Sequence, residues 1–204
     1  DSLSINLFHI DYFFQWGTPE DYQEFIYNLD EVNNIKNLIY SITRLQVYFH
    51  PHCGSFIETP DEIDKFLRLT NMDLVVDTGH LVYGSGDNNY NITKFLNKYK
   101  HRIKTFHFKD CSPTVAIRCR ENNLNYFEAV GLGVFGELGK GCVDFKKIVL
   151  WQKMNNYSGW VLIEQDVLQN MGNPKLCAKN NLDYLQKIYR PDKIDVALIG
   201  CGRM

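Results

Sequence analysis

The chain has 204 residues, of which 45% are hydrophobic and 14% aromatic, so it has enough apolar material to bury a core. Its formal net charge of −2 excludes the strongly basic surface that nucleic acids and anionic membranes require. No apolar run approaches the roughly 20 residues of a membrane span, and the first residues carry no secretion signal. We therefore expect small-molecule partners, with no nucleic acid and no membrane.

The six cysteines are dispersed along the chain, and none forms a Cys-x-x-Cys pair. That spacing argues against a zinc ribbon or a redox dithiol motif. Free thiols in a reducing compartment fit the pattern best, so we expect a cytoplasmic protein.

The N-terminal part predicts alternating elements. Residues 3–16 have the composition of one strand, whose pairing the sequence leaves open. Thr18-Pro19-Glu20 is typical of a helix start, and apolar residues recur from there at helical spacing as far as Val32. The apolar segment Leu45–Phe49 predicts a strand. The capping box of residues 59–62 then predicts a second helix.

The same alternation continues through most of the chain. Strands are predicted over residues 72–76, 103–108 and 160–163, and helices over 92–99, 145–154 and 176–188. Apolar strands separated by helices indicate a parallel sheet covered by helices. A closed (β/α)8 TIM barrel has eight strands and about 250 residues. Residues 1–189 are therefore predicted to form only the C-terminal half of an α/β barrel of this type, with four or five βα units.

The last residues have a different pattern. Residues 190–193 are interpreted as a linker, and residues 194–204 as a strand that leads into Gly200-Cys201-Gly202. A Rossmann dinucleotide-binding domain begins in this way, but the third glycine and the helix are absent. We interpret the segment as the truncated start of such a domain, with an ordinary strand end as the alternative. No NAD should bind to the chain, because no helix N-terminus receives the pyrophosphate.

Polar side chains follow several predicted strands, at the end where the active sites of (β/α)8 barrels lie. Asp77 and His80 follow one strand, His107 and Lys109 end the next, and Glu164 ends the last. Carboxylates and imidazoles are ligands that suit manganese, cobalt, zinc or iron. Their shared position predicts one metal site. Taken singly, each residue also has a structural interpretation, such as a turn cap, a packed histidine or a surface ion pair.

The predicted strand Leu45–Phe49 is followed by the ambiguous group His50, His52 and Glu58. Either histidine fits a metal ligand, a substrate contact or a packed neutral ring. The glycine-rich segment 131–145 precedes a predicted helix and fits either a phosphate cradle or a lid over the pocket. Its glycines do not match a Walker loop, so a lid is the interpretation that we favour.

Together these segments resemble the xylose-isomerase-like superfamily of TIM-barrel sugar isomerases, epimerases and dehydratases. The resemblance is carried by Tyr48–Gly54 with Glu58 and Thr59, Asp77–Leu81, His107–Asp110, residues 133–145 and Gly159–Asp166. Within the superfamily the chain is most similar to the inosose dehydratases, which remove water from 2-keto-myo-inositol (scyllo-inosose) in inositol catabolism. The resemblance implies a metal-dependent lyase that acts on a polyol or keto-sugar.

The resemblance also implies roles for the residues named above. One manganese or cobalt ion would be held by Asp77, His107 and Glu164, with Glu58 as fourth ligand and His50 or His52 as the alternatives. His50 and His52 are otherwise expected to contact the substrate. From the chemistry of elimination we expect Glu164 to act as the base, Lys109 to stabilise enolate charge and His80 to protonate the leaving group.

Two departures from the family pattern matter. The dehydratases usually have Pro-Gly-Asp-Gly where this chain has Leu138-Gly139-Lys140-Gly141, which reverses a charge near the pocket. The first strands of the barrel are not recognisable, so an inactive half-barrel that serves as a scaffold is one alternative, and a metal-dependent isomerase or epimerase is another. The tail resembles the start of an inositol dehydrogenase-type oxidoreductase, and fusion to a C-terminal NAD-dependent domain would explain it.

Overall fold

A computed structural model describes residues 29–168, 171–189 and 197–198, in which helices alternate with strands. The helices are α1 Leu29–Thr43, α2 Pro60–Leu69, α3 Thr78–Gly84, α4 Ile92–Tyr99, α5 Pro113–Glu121, α6 Tyr126–Gly131, α7 Phe145–Met154 and α8 Pro174–Tyr189. The strands are β1 Tyr48–Phe49, β2 Asp73–Asp77, β3 Ile103–Phe108, β4 Asp110–Cys111, β5 Phe135–Gly136, β6 Trp160–Ile163 and β7 Ala197–Leu198. No helix among these residues is long and apolar enough to cross a bilayer.

Five of the described strands form one parallel sheet in the order β1-β2-β3-β6-β7, and β4 and β5 form a separate antiparallel pair. Parallel strands that follow one another in chain order, with helices between them, are the pattern of a (β/α) barrel. The carboxyl ends of these strands therefore meet at one edge of the sheet.

The C-terminal segment is described only in part. Strand β7 pairs in parallel with β6 and so extends the same sheet. The linker 190–193, the rest of the segment 194–204, and residues 3–16 and 18–20 lie outside the described residues. The Rossmann start and the half-barrel thus stay predictions.

Strand β3 separates the core from the site. Phe106 and Phe108 are fully buried and lie on one face of the strand, and the ring of Phe108 is 5.1 Å from that of Phe145 in α7. Successive side chains of a strand point to opposite faces, so His107 lies on the other face. Because Phe106 and Phe108 pack on the face of the sheet that α7 covers, His107 lies on the opposite face.

Local sequence signals account for several elements. The Thr59 side chain accepts a hydrogen bond from the Glu62 backbone, and the Glu62 side chain accepts one from the Thr59 backbone, so the predicted capping box is confirmed. The predicted bounds of β3, β6, α4 and α7 are confirmed. Strand β1 is shorter than the predicted Leu45–Phe49, and α1 continues to Thr43, beyond the predicted helical pattern that ended at Val32.

Candidate metal centre

Four side chains bring metal-ligating atoms together at the carboxyl edge of the sheet. They are His50, Asp77, His107 and Glu164, and one ligand atom from each lies within 4.8 Å of the others. His50 follows β1, Asp77 ends β2, His107 lies in β3 and Glu164 follows β6. The sheet register sets Asp77 beside His107. Asp77, His107 and Glu164, which were predicted to meet because they lie at strand ends, are thus close together, and His50 lies beside them.

Two buried atoms of this cluster have no hydrogen-bond partner among the described residues, namely His50 Nε2 and Asp77 Oδ2. They are 3.7 Å apart, which is too long for a hydrogen bond. The other Asp77 oxygen accepts from the His80 backbone N–H at 2.8 Å and caps α3. An unpartnered buried polar atom costs about 1–3 kcal/mol, and a cation between these two would satisfy both. Two imidazoles and two carboxylates form a donor set that fits a divalent transition metal.

Both carboxylates of the cluster are ionised at neutral pH, as metal ligands must be. Burial alone would raise the pKa of Glu164, but a 2.8 Å hydrogen bond with His107 Nδ1 and the nearby Lys109 ammonium lower it to about 2. Burial would likewise raise the pKa of Asp77, but the neighbouring histidines and Lys109 hold it well below its usual range.

Lys109 is fully buried beside the cluster. Its Nζ lies 3.0 Å from Glu164 Oε1, 3.4 Å from Asp166 Oδ2 and 4.9 Å from the centre of the Phe135 ring. Burial alone would lower the pKa of Lys109, but Asp77, Asp166 and Glu164 raise it. The side chain is thus a permanently charged ammonium, not the surface partner of Asp110 that was the alternative.

His80 lies behind Lys109 and is also buried. Its Nε2 is 3.2 Å from Lys109 Nζ, and its Nδ1 is 3.8 Å from Asp77 Oδ2. Because an ammonium can only donate, Nε2 accepts and the imidazole proton is on Nδ1. Burial lowers the pKa of His80 to about 3, so the ring is neutral. This geometry makes His80 a support for Lys109.

The remaining predicted residues lie around the cluster. His52 Nδ1 is 2.7 Å from the Cys53 carbonyl oxygen, and its ring packs against His80 and Tyr126. Glu58 accepts a hydrogen bond from the Gly54 N–H at 2.9 Å and is not among the four clustered residues. Its carboxylate therefore closes its own loop, whereas His50 occupies the fourth position.

Sequence reasoning missed two features of the site. Asp166 lies two residues after Glu164, and the alternation of an extended chain could have placed both on one face. The N–H groups of Gly139 and Gly141 in the glycine-rich segment both donate to Asp110 Oδ2 at 2.8 Å. Both N–H groups are thus already hydrogen-bonded within the chain, which argues against a role of this segment in phosphate binding.

The chain is similar in sequence to proteins that are named inosose dehydratase. Inosose dehydratase of Clostridium botulinum (strain Alaska E43 / Type E3) is 34% identical over 182 residues, which cover 85% of this chain and 60% of the relative. Inosose dehydratase of Clostridium beijerinckii is 37% identical over 146 residues, which cover 70% of this chain and 48% of the relative. The chain thus spans about half to three fifths of the length of these two relatives.

Two solved structures share the fold. A probable 3-DHS dehydratase from Bacillus anthracis has a TM-score of 0.59 and 16% identity, with 83% of this chain and 58% of that chain covered. A 3-keto-D-glucoside 4-epimerase from E. coli has a TM-score of 0.56 and 15% identity, with 86% and 60% covered. These matches confirm the predicted α/β fold of the TIM-barrel type.

A family model matches almost the whole length of the chain. It covers residues 4–188 and is described as a xylose isomerase-like TIM barrel. That range contains all four clustered residues and every strand of the sheet except β7. The chain belongs to the xylose isomerase-like TIM barrel family.

Proposed function

We propose that this chain belongs to a metal-dependent dehydratase that removes water from a keto-inositol, with 2-keto-myo-inositol as the substrate to test first. The observation that carries the proposal is the four-residue cluster with its unpartnered buried atoms, His50 Nε2 and Asp77 Oδ2. The names of the curated relatives support the reaction, since eight of them at 32–37% identity are inosose dehydratases.

His50, Asp77, His107 and Glu164 would hold a divalent ion, for which we propose manganese or cobalt. We propose His50 rather than Glu58 as the fourth ligand, because the Glu58 carboxylate accepts a hydrogen bond from the Gly54 N–H. When bound, the ion would supply a Lewis acid that stabilises negative charge at a carbonyl oxygen. The pKa of about 2 makes Glu164 a weak base, which favours the ligand role over the base role that we had predicted.

The chain also offers a base, and a cation for the charge that develops on the substrate. Elimination of water needs a base for the proton beside the carbonyl group and stabilisation of the negative charge that develops. The raised pKa of Lys109 makes its ammonium a weak acid, so we assign it to charge stabilisation, with Glu164, Asp166 and His80 holding it in place. We assign the base to His52, since a carbonyl oxygen can only accept and so fixes the imidazole proton on Nδ1. The Nε2 of His52 is then free to take a proton.

The test is an assay of 2-keto-myo-inositol with manganese or cobalt, read by the ultraviolet absorbance of the unsaturated or diketo product. We expect His52→Gln and Lys109→Met each to lower kcat by about 10²- to 10⁴-fold without loss of bound metal. His101→Gln, at an exposed histidine, is the matched control and should keep full activity. Absence of the ultraviolet product, or epimerised substrate in its place, would contradict the proposal.

A further inference from the structure

Two thiols meet away from the metal cluster. Cys111 lies in β4 and is fully buried, and Cys142 is half-buried in the glycine-rich segment 131–145. The backbone N–H of Cys142 donates to the Cys111 carbonyl oxygen at 2.9 Å. Each thiol also shifts the pKa of the other, as neighbouring thiols do. The two cysteines are therefore neighbours in the fold although 31 positions apart in the sequence.

The backbone geometry suits a covalent link. A backbone N–H···O=C bond of this length brings the Cα atoms of the two residues to roughly 5–6.5 Å from each other. Disulfides form at Cα separations of roughly 4.4–6.8 Å. Asp110 also holds the segment against β4, through the N–H groups of Gly139 and Gly141. The two sulfurs can therefore bond without a large movement of either backbone.

The pair is chemically asymmetric. The neighbouring Cys142 thiol, together with burial, raises the pKa of Cys111, whereas the neighbouring Cys111 thiol lowers the pKa of Cys142. Thiolate character and access to solvent both favour oxidation. Cys142 has the greater thiolate character and the greater solvent access, so we expect peroxide to oxidise it first. Cys111 then reacts with the oxidised Cys142.

We propose that Cys111 and Cys142 are a peroxide-sensitive thiol pair, whose disulfide ties the glycine-rich segment to β4. The Cys142 thiolate attacks a peroxide oxygen, the O–O bond breaks, and a sulfenic acid and water form. The Cys111 sulfur then attacks the Cys142 sulfur and displaces its oxygen as a second water. Two thiols are oxidised and one hydrogen peroxide is reduced to two waters. This proposal does not depend on the proposed function, since neither thiol belongs to the metal cluster.

The experiment treats the folded 204-residue chain with hydrogen peroxide, alkylates the remaining thiols after unfolding, and maps tryptic peptides by mass spectrometry. Cleavage after lysine and arginine places Cys111 in peptide 110–118 and Cys142 in peptide 141–146. We expect these two peptides to form the dominant cross-link and to separate after reduction. Cys177→Ser is the matched control, because the Cys177 thiol donates to the Met171 carbonyl oxygen at 3.6 Å instead, and it should keep the cross-link.

Cys142→Ser should abolish the cross-link and leave Cys111 free for alkylation after unfolding. Two results would overturn the proposal. One is a different dominant cysteine pair, and the other is oxidation of Cys142 to sulfinic acid with no cross-link to Cys111. Peptide mapping reports these outcomes directly, whether or not a variant loses stability.

Discussion

The burial of His80 ties the stability of the metal-free fold to pH. Its pKa is lowered by burial from the usual 6.5 to about 3. In the unfolded chain the imidazole takes up a proton below about pH 6.5, but in the folded chain it does so only near pH 3. The unfolded state therefore binds more protons across this window. Stability is full above pH 6.5 and is lost as the pH falls towards 3.

We predict that His80→Gln makes the free energy of unfolding less sensitive to pH between 6.5 and 4. One proton bound only by the unfolded state contributes at most about 1.4 kcal/mol per pH unit. Urea unfolding of the metal-free wild type and variant across this range measures the slope. His101→Gln should keep the wild-type slope. Equal slopes for wild type and His80→Gln would contradict the prediction.

The site could be predicted from the sequence only where a residue's role follows from its place in a strand. Asp77, His107 and Glu164 were found because each ends a strand of a parallel sheet, so they had to meet at one edge. The choice between His50 and Glu58 depended on how the intervening loop folds. Our proposal of His50 rests on a contact between Glu58 and the Gly54 N–H, and no sequence pattern reveals that contact.

Helix α3 packs closely against Lys109, the residue after β3, and the absence of a side chain at Gly79 makes this approach possible. A Cβ atom at Gly79 would lie 2.7 Å from Cγ of Lys109 and 3.0 Å from its Cβ. These atoms are at the base of the lysine side chain, where it cannot swing away without displacing the strand or the ammonium. Gly79 therefore makes room for Lys109 to reach Glu164.

We predict that Gly79→Ala costs about 1–3 kcal/mol of stability through overpacking, and displaces the Lys109 ammonium. Chemical denaturation measures the first effect, and the fall in kcat of the dehydration assay measures the second. Gly131→Ala is the matched control, because a Cβ there meets nothing within 4 Å at the end of α6. It should be neutral or gain up to about 1 kcal/mol from helix propensity. Equal stabilities for the two variants would contradict the prediction.

The elements that could be predicted carry their own boundary signals. Helix α2 has its capping box, and α7 begins after the capping residue Asp144. Helix α5 was missed although Ser112 caps it, because its apolar periodicity is weak. Helix α6 has six residues, so its apolar pattern is too short to distinguish from a loop. Short elements of this kind depend on tertiary packing rather than on local propensity.

The four clustered residues connect four strands, so a metal ion bound by them should stabilise the whole sheet. His50, Asp77, His107 and Glu164 come from the ends of β1, β2, β3 and β6. We predict that manganese at 100 times its Kd raises the free energy of unfolding by about 2.7 kcal/mol. Asp77→Asn should lose most of this gain, as measured by thermal unfolding with and without manganese.

Asp73→Asn is the matched control, because Asp73 lies at the opposite end of the same strand, near Lys104. It should keep the full gain from manganese. An equal gain in wild type and Asp77→Asn would show that the metal binds elsewhere.

The fold class itself could be predicted from strand and helix alternation. The pairing of β7 with β6 could not, because residues 194–198 resemble the first strand of another fold equally well.

The charges around Lys109 bear on which ions the candidate site would favour. Asp77, Glu164 and Asp166 supply three negative charges and Lys109 one positive charge, so these four side chains carry a formal charge of −2. A divalent cation brings the pocket to electrical neutrality, whereas a monovalent cation leaves an excess negative charge and a trivalent one creates a positive excess. A site of this charge would therefore favour dications over monovalent and trivalent ions.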